Sequence, residues 1–320
     1  MILAKNNCIT FLFGCLLLIS SSLRAQESQL YSQYMFNMVN INPAYAGNRA
    51  SDNFTAIYRD QWVGMTGAPK TAAFSWDKRR SESNVGYGLE IYDDQVGLEK
   101  NTGFQAFYAY HIPFGDSFLS LGLSGGVMNY KVNYSQASLI NPEDPMFEAD
   151  VNGWLATAGF GVLYGAPNWY VSFSVPQMLH TSLSIQNYEN QADIQGDNQY
   201  FLTGGYVFDL TDEVKAKPSL MLKAEKGSPI QYDVNLNFWF SDIFSVGVSY
   251  RQGDALIGML EFQVLPKLRI GYAYDHSIST LSSYNQGTHE IMLRLELPST
   301  ACPWCDKQKQ TETSISPRYY

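Results

Sequence analysis

The stretch QYDVNLNFWFSDIFSVGVSYR, residues 231–251, carries the reading of the fold. Tyr232, Val234, Leu236, Phe238 and Phe240 alternate with Gln231, Asp233, Asn235 and Asn237. After Ser241-Asp242 the alternation resumes, with Phe244, Val246, Val248 and Tyr250 set against Ser245, Gly247, Ser249 and Arg251. A period of two is the signature of a strand, whose successive side chains point to opposite faces. Two such runs joined by a two-residue turn make a hairpin. Over the residues named, one face is wholly apolar or aromatic and the other polar or small. That contrast suits a membrane barrel, with lipid on one side and a polar interior on the other, but also one sheet of a soluble sandwich or propeller.

Composition favours the first. Charged residues make up 16% and aromatic residues 14% of the chain, low and high against ordinary soluble domains, and 22 residues are Tyr. The chain opens like a secretory signal: Lys5, then an apolar run over 9–19 too short to span a bilayer, then Ser20 to Ala25 as a cleavage region. Cleavage is expected after Ala25, which removes Cys8 and Cys15. Leu12-Phe13-Gly14-Cys15 resembles a lipoprotein box, but cutting there would expose a second apolar run, Leu16 to Ile19. No later stretch approaches the length of a transmembrane helix. The net charge of −9 and the absence of a basic patch argue against nucleic acid as a partner.

The same alternation recurs along the chain. Outward faces are read at Phe54–Tyr58, Ala72–Trp76, Val85–Ile91, Phe104–Ile112, Leu119–Val127, Trp154–Tyr164 and Trp169–Val175. In the second half they lie at 200–208, Leu220–Ala224, Leu256–Phe262, Leu268–Tyr274 and Ile291–Leu297, besides the hairpin above. The count is about 14 strands, an even number as bacterial barrels require. Short connections near residues 80, 115, 166, 211, 241 and 266 alternate with connections that are often longer, notably 134–152 and 177–198. Short turns face the periplasm in such barrels and long loops face outside, so both termini are expected in the periplasm. The reading is all-β: a transmembrane antiparallel up-and-down barrel over 53–298. It is preceded by a signal peptide (1–25) and a non-barrel segment (26–52) and followed by a periplasmic tail (299–320).

One stretch fits neither signal nor strand: YSQYMFNMVNINPAYAG, residues 31–47. It is aromatic and amide-rich, uncharged and aperiodic. Aromatic rings need burial and buried amides need partners. It should dock at or inside the periplasmic mouth, as a plug or as a contact for a neighbour.

With that segment in place, the sequence resembles the PorP/SprF family of type IX secretion membrane proteins. The resemblance is carried by 31–47 and by RDQWVGMTGAPKTAAFSWD (59–77), GYGLEIYDDQVG (86–97), SVPQML (174–179), YFLTGGYVF (200–208), KPSLMLKAE (217–225), VGVSYRQGDALIGML (246–260), IGYAYD (270–275) and GTHEIMLRLEL (287–297). It implies a non-enzymatic outer-membrane barrel of Bacteroidota. Such a barrel would support secretion, surface attachment or gliding-adhesin display of proteins with a C-terminal sorting signal. The implied partners are that cargo, a periplasmic peptidoglycan-binding lipoprotein and outer-membrane lipid. A channel for small or hydrophobic solutes is the alternative.

Alternation points Arg59, Lys223, Arg251, Arg269 and Arg294 inward, together with Asp77, Glu90, Asp233, Glu225, Glu261, Asp275, Glu290 and Glu296. A selective pore favours a ring of one sign, whereas a mixed set suits paired charges filling or lining the interior. Tyr31, Tyr34, Asn37 and Asn42 are the candidate plug residues facing Arg251, Arg269, Asp275, Glu290 and Arg294. Asp275-His276 and His289-Glu290 flank the last loop, but alternation sends the carboxylates in and the imidazoles out, so no metal or acid–base site is read there. No catalytic constellation and no cofactor site is called for. Cys302-Pro303-Trp304-Cys305 suits a local disulfide, with redox exchange or a link to a partner as the sharper alternatives. Acidic pairs at Asp93-Asp94, Glu143-Asp144, Glu148 with Asp150, and Asp193 with Asp197 read as solvated outer loops. Met146, Phe147, Met178 and Leu179 read as loop contacts. An epitope placed after Tyr320 should be detected by antibody only after the outer membrane is permeabilised; detection on intact cells would place the tail outside.

Overall fold

A computed structural model describes residues 30–49, 51–80, 83–137, 150–180, 183–184, 193–194 and 198–298. The expected signal peptide, the tail with Cys302 and Cys305, and the loop residues Glu143, Asp144, Met146, Phe147, Glu148 and Asp197 lie outside the described residues.

Fourteen antiparallel strands close into one barrel. They are β1 (Ser51–Asp60), β2 (Lys70–Arg79), β3 (Val85–Val96), β4 (Glu99–Phe114), β5 (Ser117–Val132), β6 (Val151–Gly165) and β7 (Trp169–His180). Then come β8 (Gln199–Tyr206, resuming at Phe208–Asp209), β9 (Val214–Glu225), β10 (Gln231–Phe240), β11 (Phe244–Arg251), β12 (Ala255–Leu265), β13 (Leu268–Ser277) and β14 (Thr288–Pro298). Each pairs with its sequence neighbours. β1 closes the ring on β14, from Ser51↔Pro298 to Asp60↔His289. Closure leaves no free edge, which is how strands satisfy their backbone polar groups in lipid.

The outer surface is the apolar half of the alternation. Phe74, Ile91, Phe104, Leu123, Val248, Phe262 and Leu293 are exposed there, and Trp154 is 69% exposed. An outside of this kind needs lipid around it. Among the described residues, no helix is long and apolar enough to cross a membrane.

The two ends of the barrel differ. At one end the connections are 80–84, 115–116, 166–168, 210–213, 241–243 and 266–267, none longer than five residues. At the other they include 61–69, 133–150, 181–198 and 278–287. These are called here the short-turn end and the long-connection end. Strand lengths also vary, from 16 residues in β4 and β5 to 8 in β11.

Two expectations about loops need correction. Asp93 and Asp94 lie within β3, and Asp94 points inward and accepts a 2.6 Å hydrogen bond from Thr71 Oγ1. The wall rises above its apolar band here, so polar residues remain in the strand. Likewise Met178 and Leu179 lie within β7, not in a loop. The pairing of β6 with β7 skips from Phe160↔Val175 to Ala158↔Leu179, a bulge around Pro176. Proline has no N–H to give the ladder, and a bulge erases the period of two that marks a strand.

Leu293 sits on the outer face of β14 and Met292 on the inner face. Leu293→Arg should therefore destabilise the folded barrel in lipid by about 2–4 kcal/mol if it lies near the bilayer midplane. Urea titration in liposomes, read by the heat-modifiable gel shift of folded barrel, measures it; a loss below ~0.5 kcal/mol would contradict the assigned lipid face.

Candidate functional site

The interior is occupied by the segment that resembles neither signal nor strand. Residues 31–39 and 41–48 are buried, with Gln33, Ala44 and Ala46 fully so. Its backbone turns through three short 3-10 helices, Tyr34–Phe36, Met38–Asn40 and Pro43–Tyr45. Successive turns bond locally, as in Asn37 N to Tyr34 O at 2.9 Å, Asn42 N to Met38 O at 2.9 Å and Asn48 N to Tyr45 O at 2.9 Å. Backbone polar groups enclosed in a lumen must be paired, and tight turns achieve this without a sheet partner. Asn42 opens the third turn, its side-chain oxygen accepting from Ala44 N at 2.9 Å, and Pro43 follows at the first helical position. Gly47 ends the segment at φ +65°, where a side chain would also strike the Lys78 carbonyl.

The wall holds this segment at several heights. At the long-connection end, Glu290 accepts from two successive backbone amides, Ser32 N and Gln33 N, both at 2.8 Å. Arg59 joins the group: its Nη1 donates to Ser32 Oγ at 2.6 Å and to Glu290 at 3.0 Å, and its Nη2 to Asp275 at 2.8 Å. Ser32 Oγ donates to the same Asp275 oxygen at 2.7 Å. Two carboxylates, one guanidinium and three donors from the segment thus form one buried cluster. Beside it Arg251 pairs with Asp233 at 3.1 Å.

Lower in the lumen, Asn235 Nδ2 donates to Tyr34 Oη at 2.7 Å and Asn37 Nδ2 donates to Ser75 Oγ at 2.9 Å. The Phe36 carbonyl accepts from Arg294 Nη1 at 3.1 Å and from Arg49 Nη2 at 2.6 Å. Arg294 also binds Glu261 and sits over the Phe36 ring at 5.9 Å, while Phe36 meets Trp239 edge-on at 6.4 Å. Arg269 stays on the wall, donating to the Asp242 carbonyl at 2.6 Å and to Gln263 Oε1 at 2.8 Å. Across the barrel, Asn42 Nδ2 donates to the Val162 and Phe173 carbonyls at 3.2 and 3.3 Å. Ser174 and Ser120 donate to the Ile41 and Ala44 carbonyls at 2.8 and 2.6 Å. Nearest the short-turn end, Gly47 N donates to Asp77 at 3.0 Å.

The segment therefore runs most of the height of the lumen and is not confined to the periplasmic mouth, where the sequence placed it. Inward glycines mark its course. A Cβ added at Gly161 would lie 1.9 Å from Asn42 Oδ1, and one at Gly122 would lie 2.2 Å from Ala44 N. These positions read in the sequence only as small residues on the polar face.

The sequence reading also missed a class of contact. Ile57, Phe107, Leu163, Met221, Trp239 and Met259 point inward and are buried. Phe107 packs with Val39 and Ala46, and the others pack with Tyr31, Tyr34, Met35, Phe36, Ile41 and Tyr45 in the interior. An inward apolar residue is the one signal that a lumen is not simply wet. It was legible in the period-two register, but only once the face was asked about residue by residue.

His276 and His289 face outward while Asp275 and Glu290 face inward, so the four do not converge. His289 Nδ1 lies 2.7 Å from the Tyr272 hydroxyl. Among the described residues no group of three or more His, Cys, Asp or Glu is placed to hold a metal ion.

A family profile described as "Type IX secretion system membrane protein PorP/SprF" matches residues 23–295. No curated protein matches the sequence. Among solved structures, the Ralstonia pickettii toluene transporter TbuX is similar at a TM-score of 0.51 and 10% identity, over 81% of this chain and 93% of that one. The Acinetobacter baumannii outer membrane protein Omp33 is similar at 0.44 and 10% identity, over 78% and 99%. At such identity the first likeness speaks for the fold alone, an outer-membrane barrel.

Removing Glu290 leaves Arg59 and two backbone amides short of a buried acceptor. Glu290→Ala should destabilise the barrel by about 3–5 kcal/mol, as when one partner of a buried ion pair is deleted, and Glu290→Gln by less. Urea unfolding of the two variants in liposomes reports this, and equal, negligible losses would mean that the cluster does not hold the segment.

Proposed function

The chain belongs to the PorP/SprF family of type IX secretion system membrane proteins, and from that premise we propose that it is a sealed outer-membrane holdfast for a secreted protein. The observation that carries this reading is the filled lumen. A conduit would require Tyr31–Asn48 to leave, removing the bonds that Ser32, Gln33 and the Phe36 carbonyl make to Arg59, Asp275, Glu290 and Arg294 and wetting a large apolar surface. Hydrogen bonds to charged groups contribute ~1.5–3 kcal/mol each. Each buried aromatic or aliphatic side chain adds a similar amount. Displacement is therefore a strongly unfavourable event for the protein alone.

In this reading the short turns face the periplasm and the long connections face the surface. A secreted protein or adhesin with a C-terminal sorting signal is held at the long connections. The short-turn end and the tail after Pro298 face a periplasmic peptidoglycan-binding lipoprotein, which would fix the barrel laterally. Gliding-adhesin display is one use of such a holdfast. The alternative, a channel for small or hydrophobic solutes, has only a shared barrel fold in its favour.

Purified protein reconstituted in a planar bilayer should show no steady conductance, and liposomes containing it should not swell in small sugars. Solute flux through the intact protein would sink the sealed reading. In cells, the tagged protein should co-purify with a large secreted protein, and deletion of 31–47 should lower surface display of that protein.

A further inference from the structure

We propose that the interior segment is threaded with its amino end toward the cell surface, so that the chain leaves the lumen at Leu30 on the outer side while β14 leaves on the periplasmic side. The contacts fix the direction. Three rungs of the closing strands serve as a ruler. Arg59↔Glu290 is one rung from the long-connection end, Thr55↔Arg294 lies below it, and Asn53, opposite Asp77, is near the short-turn end. Ser32 and Gln33 bind at the first rung, Phe36 at the second and Gly47 at the third. From Glu290 to Arg294 the strand alone rises about 13 Å. The segment thus descends from the long-connection end to the short-turn end, where Arg49 leads into β1.

Burial says that the amino end has no way back. Tyr31 is 5% exposed and packs inside, while Leu30 is only partly buried. Below Leu30 the lumen is filled by residues 31–48, with Gln33 and Ala46 at 0%. A second strand of polypeptide returning toward the short turns would have to pass through that packing. The consequence is a barrel whose two exits lie on opposite sides of the membrane. The expectation of two periplasmic termini holds in this proposal only for the end after β14. The surface exit gives a partner on the outside direct access to the end of the interior segment, and gives none to a periplasmic partner.

This inference rests on the orientation stated under the proposed function, and one experiment separates the two. A short epitope is inserted immediately before Leu30 in one variant and between Ser241 and Asp242, in a short turn, in another. Antibody is applied to intact and to permeabilised cells. The epitope at Leu30 should be detected on intact cells and the one at 241–242 only after permeabilisation. If both are hidden until permeabilisation, the threading is wrong and the orientation stands. If the 241–242 epitope is the one reached on intact cells, the orientation is wrong. Should the insertion at Leu30 block assembly, Leu30→Cys in a chain with Cys302→Ser and Cys305→Ser replaces it, probed with a small membrane-impermeant maleimide. Modification on intact cells supports the threading, and modification only after permeabilisation overturns it.

Discussion

Fourteen strands enclose more space than the side chains of the wall can fill. An eight-stranded barrel packs its own interior, while a 16-stranded one keeps a water-filled channel. A barrel of intermediate girth has to be wet, shrunken or filled with something else. Here the filling is the stretch of chain just before β1, and most of the inward residue choices follow from it. Glycines stand where its backbone touches the wall, serines and asparagines where its carbonyls and amides need partners, and charges where its amino-terminal part is held.

The choice of partners is economical in charge. The segment has no ionised side chain between Tyr31 and Asn48, so the interior charges balance among themselves and are then shared with its backbone. Glu290 shows how: it is neutralised by Arg59 and still has lone pairs for two amides. A buried ion pair alone contributes little net stability, because desolvation offsets attraction, but the hydrogen bonds it offers to a third party are strong and directional. The Arg294–Glu261 pair repeats the arrangement with the Phe36 carbonyl as third party. What these pairs supply is position, fixing a segment that has little regular structure of its own.

The outer face was legible in the sequence because lipid imposes one rule on every strand. Tyr232 to Phe240 and Phe244 to Tyr250 announce their register without help from any partner. The interior was legible where it is polar, and most plainly where it is charged: Arg59, Arg251, Asp275, Glu290 and Arg294 stand out at alternate positions. Met221, Trp239, Ile257 and Met259 did not stand out, since an apolar residue on the inner face becomes informative only when something apolar lies across from it. The path of residues 31–48 could not be read either. It depends on which rungs of β1, β2 and β14 end up at one height, and that is set by the closure of the ring. The bulge at Pro176 and the tall β3–β4 hairpin misled for local reasons, one by breaking the period and the other by outgrowing the membrane.

Ser32 and Gln33 touch β1, β13 and β14 together, yet they belong to the stretch that precedes β1 in the chain. A ring with folded chain inside it, and with tight turns against its wall, is not filled after it has closed. Residues 31–48 would lie against the open sheet and be enclosed as β14 meets β1. Enclosure of the segment and closure of the ring are then a single event. The seam between β1 and β14 is the place where that history is recorded, because it is there that Arg59, Glu290 and the enclosed backbone meet.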